Sequence, residues 1–153
     1  VGLLCCYHGI DTLTAITIIT EIFEFGRFES PRHLMSYLGL TPSEDSSGEK
    51  QKKGSITKAG NKRIRRLLNE ASWHYRHIYV PSAALKKRRK GQPQWAIEIA
   101  DAAGRRLSKR HRYLVNKGKM PCKANIAVAR ELAGFIWFTI TQYQARKNTK
   151  GVA

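Results

Sequence analysis

The chain has 153 residues, enough for one domain of ordinary size with its own hydrophobic core. Residues 1–49 hold two basic and seven acidic side chains, a net −5, whereas residues 50–153 hold 26 basic and four acidic ones, a net +22. Such a density of cations indicates a polyanionic partner, most often nucleic acid. No stretch reaches the ~18 apolar residues of a membrane span, and no signal peptide is visible, so we expect a cytoplasmic protein.

The first part of the chain predicts two helices. Residues 12–25, spelled TLTAITIITEIFEF, follow a turn at Gly9 and begin at an N-cap provided by Asp11 or Thr12. The helical spacing rests on four apolar positions: Leu13, Ile16, Ile19 and Phe23. Ser30 followed by Pro31 predicts a second, short helix, which ends at Gly39.

Residues 42–54 predict a long loop, because Pro, Ser and Gly interrupt the segment and no apolar periodicity is present. A clear amphipathic helix follows over residues 62–78, capped by Asn61 or Thr57. Pro81 ends this helix.

The second half predicts further helices. Residues 82–91, SAALKKRRKG, form a short basic helix or a loop, and Pro93 opens a long helix. A last helix covers about 123–144, and the tail 146–153 is expected to fray. The sequence therefore predicts an all-α, helix-hairpin-helix-like domain of five or six helices with a long Ser/Gly/Lys loop. We expect residues 1–80 to form its core and residues 81–153 a basic helical extension packed on it.

Two segments have the pattern of a phosphate contact. Gly9, Ile10 and Asp11 precede an apolar helix, where a glycine-containing turn exposes backbone N–H groups to a DNA phosphate. Gly60 and Asn61 open a helix whose first turns are cationic, against the preference for acids there. The cations are Lys62, Arg63, Arg65 and Arg66. They indicate an external anion, the alternative being a solvated basic face.

Ser46 and Ser47 precede a stretch, from Lys50 to Arg66, that holds eight cations and no acid. A serine hydroxyl attacks a phosphodiester only when its proton is removed and cations stabilise the charge on the phosphate oxygens. Four lysines close in sequence are suited to that role: Lys50, Lys52, Lys53 and Lys58. On residue chemistry alone, a plain Ser-Ser-Gly turn is the commoner interpretation.

Residues 37–73, YLGLTPSEDSSGEKQKKGSITKAGNKRIRRLLNEASW, resemble the C-terminal domain of the IS110 (IS116/IS902) family of insertion-sequence transposases. The shared features are a Tyr-Leu-Gly-Leu-x-Pro start, a Ser-Ser-Gly-x-Lys segment, and an Ile-x-Lys-x-Gly-Asn segment followed by a Leu/Arg-rich helix. Residues 9–39 resemble the lead-in of the same domain, so that the similarity covers about residues 9–80. Glu49 and Ser55 depart from the pattern, which often has Gly at both positions.

The resemblance implies DNA transposition by cutting and rejoining strands. It implies that Ser47, or alternatively Ser46, bonds covalently to a DNA phosphate. Arg63 and Arg66 would extend the grip of the lysines on the DNA, with Gly9 to Asp11 as a further contact. Such proteins also use a RuvC-like domain whose four acids hold Mg²⁺, assemble as dimers or tetramers, and in some members are guided by a bridge RNA. This chain shows no such acidic domain, so we expect no cofactor in it and a truncated or split transposase.

Alternatives to a catalytic domain stay open at this point. A helix-hairpin-helix module that grips nucleic acid without cutting it, or an inactive transposase remnant, fits the same charge pattern. The run KKRRK at residues 86–90 is interpreted as a backbone-binding patch. Within residues 104–119, Tyr113 is suited either to stacking on RNA bases or to the core. The spacing of Trp73, Trp95 and Trp137 assigns them to packing.

Overall fold

A computed structural model describes the backbone of residues 1–47 and 50–150 and the side chains of residues 1–43 and 54–149. Within these residues the chain is mostly helical, as predicted. The helices are α1 (Thr12–Ile22), α2 (Pro31–Tyr37), α3 (Lys62–Ser72), α4 (Ala83–Arg88), α5 (Gln94–Asn116) and α6 (Pro121–Lys150). None of the helices in the described part of the chain is both long and apolar enough to cross a membrane.

The prediction of a long loop over residues 42–54 is wrong. Two strands, β1 (Pro42–Ser47) and β2 (Lys50–Ile56), form an antiparallel hairpin there. Its pairing shifts register between Pro42 and Glu44. A strand is recognised in a sequence by alternation of apolar and polar residues, which reflects burial of one face. This hairpin is almost wholly polar, so its backbone ladder leaves no such pattern.

The core is one buried cluster to which α1, α2, α3, α5 and α6 all contribute. The longest helices, α5 and α6, pack against each other, and α6 also packs against α2 and α3. Tyr7 lies fully buried among them, and its hydroxyl is 2.6 Å from Thr139 Oγ1. Residues before and after the expected boundary at residue 80 thus share a core, while the division at that position stays a prediction.

Helix α1 buries a different face from the one its strongest apolar spacing indicates. Leu13 and Phe23 are 71% and 85% exposed, whereas Ala15, Ile18 and Ile22 are buried. Apolar residues occupy nearly every side of this helix, so periodicity predicts the helix without selecting its buried face. The threonines are accommodated because their hydroxyls donate to carbonyls one turn earlier, as Thr17 does to Leu13.

The C-terminal helices confirm the predicted elements with altered ends. Helix α5 begins directly after Pro93, as expected. Its Gly104 lies against the ring of Tyr79, which a Cβ atom would overlap. Helix α6 extends well beyond residue 144, so the residues expected to fray are helical through residue 150.

Two glycines lie where residues 37–39 and residues 58–60 cross in direct backbone contact, next to the base of the hairpin. Gly60 has φ +71°, and a Cβ atom there would overlap the carbonyl oxygen of Tyr37. Gly39 has φ +65°, and a Cβ atom there would overlap the backbone of Ala59. Only glycine combines a left-handed backbone with this close approach, so two segments of backbone contact each other directly.

We expect Gly60→Ala to lower the free energy of unfolding by about 2 kcal/mol more than Gly91→Ala, the difference being the cost of forced overlap. Gly91 is the matched control because its φ is +75° and nothing lies within 4 Å of the position of its missing Cβ. Urea denaturation of both variants measures the difference. Equal losses would show that backbone conformation alone, without the contact to Tyr37, explains the glycine.

Candidate nucleic-acid interface

The two candidate serines lie near the end of strand β1. Ser47 is paired with Lys50 across the ladder, and Ser46 is paired with Gln51. Because directly paired residues share a face of an antiparallel ladder, the register groups Ser47 with a lysine and Ser46 with a neutral amide. The side chains of both serines and of Lys50, Lys52 and Lys53 lie outside the described residues, as do Gly48 and Glu49 entirely.

Backbone hydrogen bonds join the two segments that flank the hairpin. Thr57 N donates to Thr41 O at 2.9 Å, and Lys58 N donates to Gly39 O at 3.1 Å. Lys58 itself adopts a left-handed backbone with φ +56°, an uncommon conformation for a residue with a side chain. These bonds fix where the hairpin leaves the helical body and where α3 begins.

The side chain of Arg65 joins the two crossing segments by hydrogen bonds. Its Nη1 donates to Leu38 O at 3.0 Å and to Ala59 O at 2.9 Å, one carbonyl from each of the two crossing segments. The sequence pattern grouped Arg65 with the cations expected to meet an external anion. Its guanidinium is instead used within the fold, because the two carbonyls at this crossing need a donor.

Asn61 caps α3, as predicted, by accepting a hydrogen bond from Ile64 N at 3.0 Å. Its amide group donates to Glu21 Oε2 at 2.7 Å. Glu21 also lies 3.5 Å from Arg63 Nη1. A single carboxylate from the C-terminal end of α1 therefore contacts both the cap and the first turn of α3.

The other predicted cations of this region differ in their surroundings. Arg66 lies 2.8 Å from Glu70 on the same helix, in an exposed pair. Lys58 and Lys62 are exposed, and no carboxylate among the described side chains lies within 4.0 Å of either. Lys58 and Lys62 are therefore better placed than Arg66 to meet an anion from solvent.

The Gly9–Asp11 turn lies at the other end of the α1–α3 pair. A Cβ atom on Gly9 would meet Ala71 O and His74, at the C-terminal end of α3. Eleven residues of α3 separate that end from Asn61, which corresponds to roughly 15 Å along the axis. The structure does not bring the two predicted phosphate contacts together.

Within that turn, each residue also has an internal role. The side chain of Ile10 is fully buried, and its N–H donates to Tyr7 O at 3.3 Å. Asp11 caps α1 by accepting from Thr14 N at 2.8 Å, and this hydrogen bond lowers the pKa of its carboxyl. A phosphate approaching the start of α1 would meet the charge of Asp11 as well as the helix N-terminus.

The basic run at residues 86–90 is divided between surface and interior. Arg89 is 7% exposed, and its Nε and Nη2 donate to Cys6 O at 3.1 and 2.9 Å. Its Nη1 lies 2.8 Å from Asp101. The interpretation of the whole run as a backbone-binding patch is therefore wrong for Arg89, because this guanidinium joins the N-terminal segment to α5.

Tyr79 completes this buried network. Its hydroxyl donates to Asp101 at 2.6 Å and accepts from Arg89 Nη2 at 2.8 Å. Burial and the hydrogen bond to Asp101 raise the pKa of Tyr79 to about 12. Burial opposes ionisation of Asp101, but the hydrogen bonds from Tyr79 and Arg89 outweigh it and hold the pKa of this carboxyl below its ordinary value.

Two rings of α5, those of Tyr113 and His111, lie in different surroundings. Tyr113 is 52% exposed, with Lys117 Nζ 5.9 Å from its ring centre, so it is not a core residue. His111 is buried, and its ring centre lies 6.2 Å from that of Trp73. Burial, together with the charge of Arg76, lowers the pKa of His111 and favours its neutral form.

Metal binding finds no support in the described side chains. No group of three or more His, Cys, Asp or Glu residues gathers among them where a metal ion would fit. The Mg²⁺ site implied by the resemblance therefore has no set of ligands in this part of the molecule.

Sequence reasoning missed two features of the structure that bear on function. The first is Glu21, the carboxylate that joins α1 to the start of α3; its signal was an acid in an otherwise apolar helix. The second is a groove between α5 and α6 that is lined by Trp95 and Tyr143. Tryptophans at helical spacing are commonly packed, and the sequence gives no indication that α6 continues far enough to form a groove.

Comparison with known proteins gives one family. The model of the transposase IS116/IS110/IS902 family matches residues 2–87. Among curated proteins, y4qE of Sinorhizobium fredii (strain NBRC 101917 / NGR234), which is assigned as a transposase, is 49% identical over 132 residues. The alignment covers 85% of this chain and 33% of y4qE.

Two transposases named for insertion-sequence elements are also similar. That for IS1533 from Leptospira borgpetersenii is 34% identical over 121 residues, covering 78% of this chain and 35% of the relative. That for IS1111A from Coxiella burnetii (strain RSA 493 / Nine Mile phase I) is 35% identical over 60 residues, covering 39% of this chain and 16% of the relative. The chain thus spans about one third of the length of y4qE and of the IS1533 transposase.

We expect Arg89→Met to lower the free energy of unfolding by about 3 kcal/mol, because it leaves Asp101 and the Cys6 carbonyl without their buried partner. Lys87→Met, an exposed position in the same basic run, should change it by less than about 0.5 kcal/mol. Urea denaturation at neutral pH measures both.

The loss from Arg89→Met should shrink in acid. Because the folded pKa of Asp101 is depressed, the stabilisation is full above the ordinary carboxyl pKa and is lost as the pH falls through the folded value. A loss that is the same at neutral pH and at a pH well below the ordinary carboxyl value of ~3.9 would show that the pair with Asp101 does not stabilise the fold.

Proposed function

The chain belongs to the IS116/IS110/IS902 family of transposases, and from that membership we propose that it binds DNA and supplies a serine that attacks a DNA phosphodiester. The observation that carries the proposal is the register of the hairpin, in which Ser47 is paired with Lys50. A serine whose partner across the ladder is a lysine would meet one requirement of phosphoryl transfer, stabilisation of charge on the non-bridging oxygens.

The reaction balances without another reactant. The Ser47 oxygen forms a bond to phosphorus, the bond from phosphorus to one deoxyribose oxygen breaks, and the serine proton ends on the displaced oxygen. A second displacement by a deoxyribose hydroxyl reverses these changes and joins a new strand.

Ser47 is preferred to Ser46 because of what each is paired with. Gln51, opposite Ser46, carries no charge, whereas Lys50 is a cation next to residues 48 and 49. Lys52 and Lys53 are paired with Asp45 and Glu44, so the residue opposite each of them in the ladder is an acid. Lys50 is therefore assigned to the scissile phosphate, and the other lysines to the flanking backbone.

The surface that continues from the hairpin is assigned to DNA phosphates. Lys58, at the base, and Lys62, in the first turn of α3, are exposed and have no described carboxylate nearby. The N-terminus of α3 adds its positive dipole end. Arg63 and Arg66, each close to a glutamate, contribute less.

A binding module that cuts nothing is the second candidate function. Three acids close to the serines favour it: Glu44, Asp45 and Glu49. Negative charge beside the nucleophile disfavours approach of a phosphate. The proposal also includes what the family resemblance implies for the whole transposase: a RuvC-like domain with Mg²⁺, self-assembly, and in some members a guide RNA.

We expect Ser47→Ala to reduce transposition of an element that depends on this protein by three orders of magnitude or more, as loss of a covalent nucleophile does. Ser46→Ala is the matched control and should leave transposition within about tenfold of the parent, because it removes a hydroxyl of the same size next door. Transposition frequency in cells measures both. DNA affinity, measured by fluorescence anisotropy, should be equal in the two variants.

If Ser47→Ala transposes like the parent while Ser46→Ala does not, the assignment of the nucleophile is reversed. If neither substitution matters and DNA affinity is intact, the chain is the binding module.

We further expect Lys62→Ala to affect DNA binding and Arg65→Ala to affect stability. Lys62→Ala should reduce the slope of log affinity against log salt by about 0.9, the value for one lost phosphate contact, without changing stability. Arg65→Ala should lower the free energy of unfolding by about 2 kcal/mol, because it leaves two carbonyls without their charged donor. Titrations of a DNA duplex at several salt concentrations and urea denaturation measure the two effects.

A change in salt slope without a loss of stability for Arg65→Ala would contradict its assignment to the fold. An unchanged slope for Lys62→Ala would remove the first turn of α3 from the DNA surface.

A further inference from the structure

A groove of 640 Å³ lies between the first turn of α5 and the last described turns of α6. Its volume is in the range of pockets that hold small molecules, roughly 300–1,000 Å³. The lining residues come from both helices: Pro93, Trp95, Tyr143, Arg146, Lys147 and Thr149. The groove involves none of the residues assigned to the hairpin surface.

Two aromatic rings give the groove its apolar character. Tyr143 is 46% exposed, and Trp95 is half-buried. The indole of Trp95 carries the guanidinium of Arg146 on one side, with Arg146 Cζ 4.9 Å from the ring centre. The phenol ring of Tyr143 has no such partner among the described residues, so an aromatic face is left for a flat ligand.

The charge of the groove selects the class of ligand. Arg146 and Lys147 are both exposed, and no carboxylate is among the lining residues. An apolar partner helix would gain little from these cations, and an uncharged flat ligand would use only the rings. A ligand that combines flat rings with regularly spaced negative charges uses both features, and a nucleic-acid strand has that chemistry.

We propose that this groove stacks an unpaired base of single-stranded DNA on Tyr143 and Trp95, with Arg146 and Lys147 contacting the flanking phosphates. Bases in a duplex stack on one another and present only their edges, so the rings favour an unpaired strand. The proposal rests on the proposed function, because cutting and rejoining strands releases bases from pairing near the cut.

The test compares Tyr143→Ala with Phe138→Ala in the full chain. Phe138 is the matched control, since it is an aromatic residue of the same helix, is 43% exposed, and does not line the groove. Affinities are measured by fluorescence anisotropy for labelled oligothymidylate, for oligouridylate of the same length, and for a duplex of that length. Circular dichroism verifies that each variant is folded.

We expect Tyr143→Ala to weaken binding of oligothymidylate about 5- to 100-fold, as loss of one stacked base does, and to leave duplex affinity within about twofold. Phe138→Ala should change neither affinity. Tyr143→Phe should retain single-strand affinity, because it keeps the ring and removes only the hydroxyl. Oligothymidylate should also quench tryptophan fluorescence in the parent more than in Trp95→Phe.

Other results overturn the proposal in separate ways. An equal loss on single strand and duplex would make Tyr143 part of a general electrostatic surface, and no loss would remove it from the interface. A loss confined to oligouridylate would assign the groove to RNA, and a change in molar mass of Tyr143→Ala in solution would assign it to protein contact. If Tyr143→Ala has no effect while the parent binds duplex DNA, the groove proposal is wrong and the proposed function stands. A parent that binds no DNA contradicts both the groove proposal and the proposed function.

Discussion

The position of the serine-bearing hairpin depends on one backbone contact, the crossing of residues 37–39 and 58–60. Isolated two-stranded hairpins are marginally stable in water, so this one needs support from the helical body. Gly39 and Gly60 allow the two segments to approach without side chains between them, and Arg65 donates to a carbonyl on each. The start of α3 follows directly from the same segment. The hairpin and the cationic helix terminus are thus held by a common anchor, which makes them one surface.

Hydrogen bonding within the fold divides the arginines and lysines discussed above into two populations with different consequences. Arg65 and Arg89 use their guanidinium groups to satisfy backbone carbonyls, and removing them is expected to affect stability. Lys58 and Lys62 have no ion-pair partner among the described residues. Their substitution is therefore expected to change the salt dependence of DNA affinity and not the stability of the fold. The net charge of +17 therefore overstates the charge available to a polyanion. Stability and salt dependence, measured on the same variants, separate the two populations.

The sequence could predict the helices whose ends are marked by local chemistry, and it was less informative where the outcome depends on distant partners. Asn61 as the cap of α3 and Pro93 before α5 were readable because capping and the fixed φ of proline act within a few residues. The buried face of α1 could not be predicted, because isoleucines occupy several sides of this helix. Which of them become buried depends on the helices that pack against it. The interior position of Arg89 depends on Asp101 and Cys6, which are remote in sequence.

The same limit applies to the candidate site. The serines and lysines were identifiable from a run of motifs, but the hairpin that pairs Ser47 with Lys50 was expected as a loop, since a polar ladder has no hydrophobic alternation to reveal it. The groove at Trp95 was invisible because it requires α6 to continue past Tyr143. Site composition was thus accessible from local sequence, whereas site geometry depended on pairing and on helix length.

The positive side chains at the start of α3 are unfavourable next to the positive end of the helix dipole, and a carboxylate of α1 partly compensates for them. Positive side chains in a first turn oppose the helix dipole, and α3 has no acid of its own there. Glu21 provides the missing negative charge from α1, by binding the amide of Asn61 and approaching Arg63. Because this carboxylate acts from the side of α1, it neutralises one face of the helix start and leaves Lys58 and Lys62 exposed to solvent. A helix terminus that retains its own cap, and whose outward lysines have no described carboxylate nearby, is suited to receive a phosphate from outside.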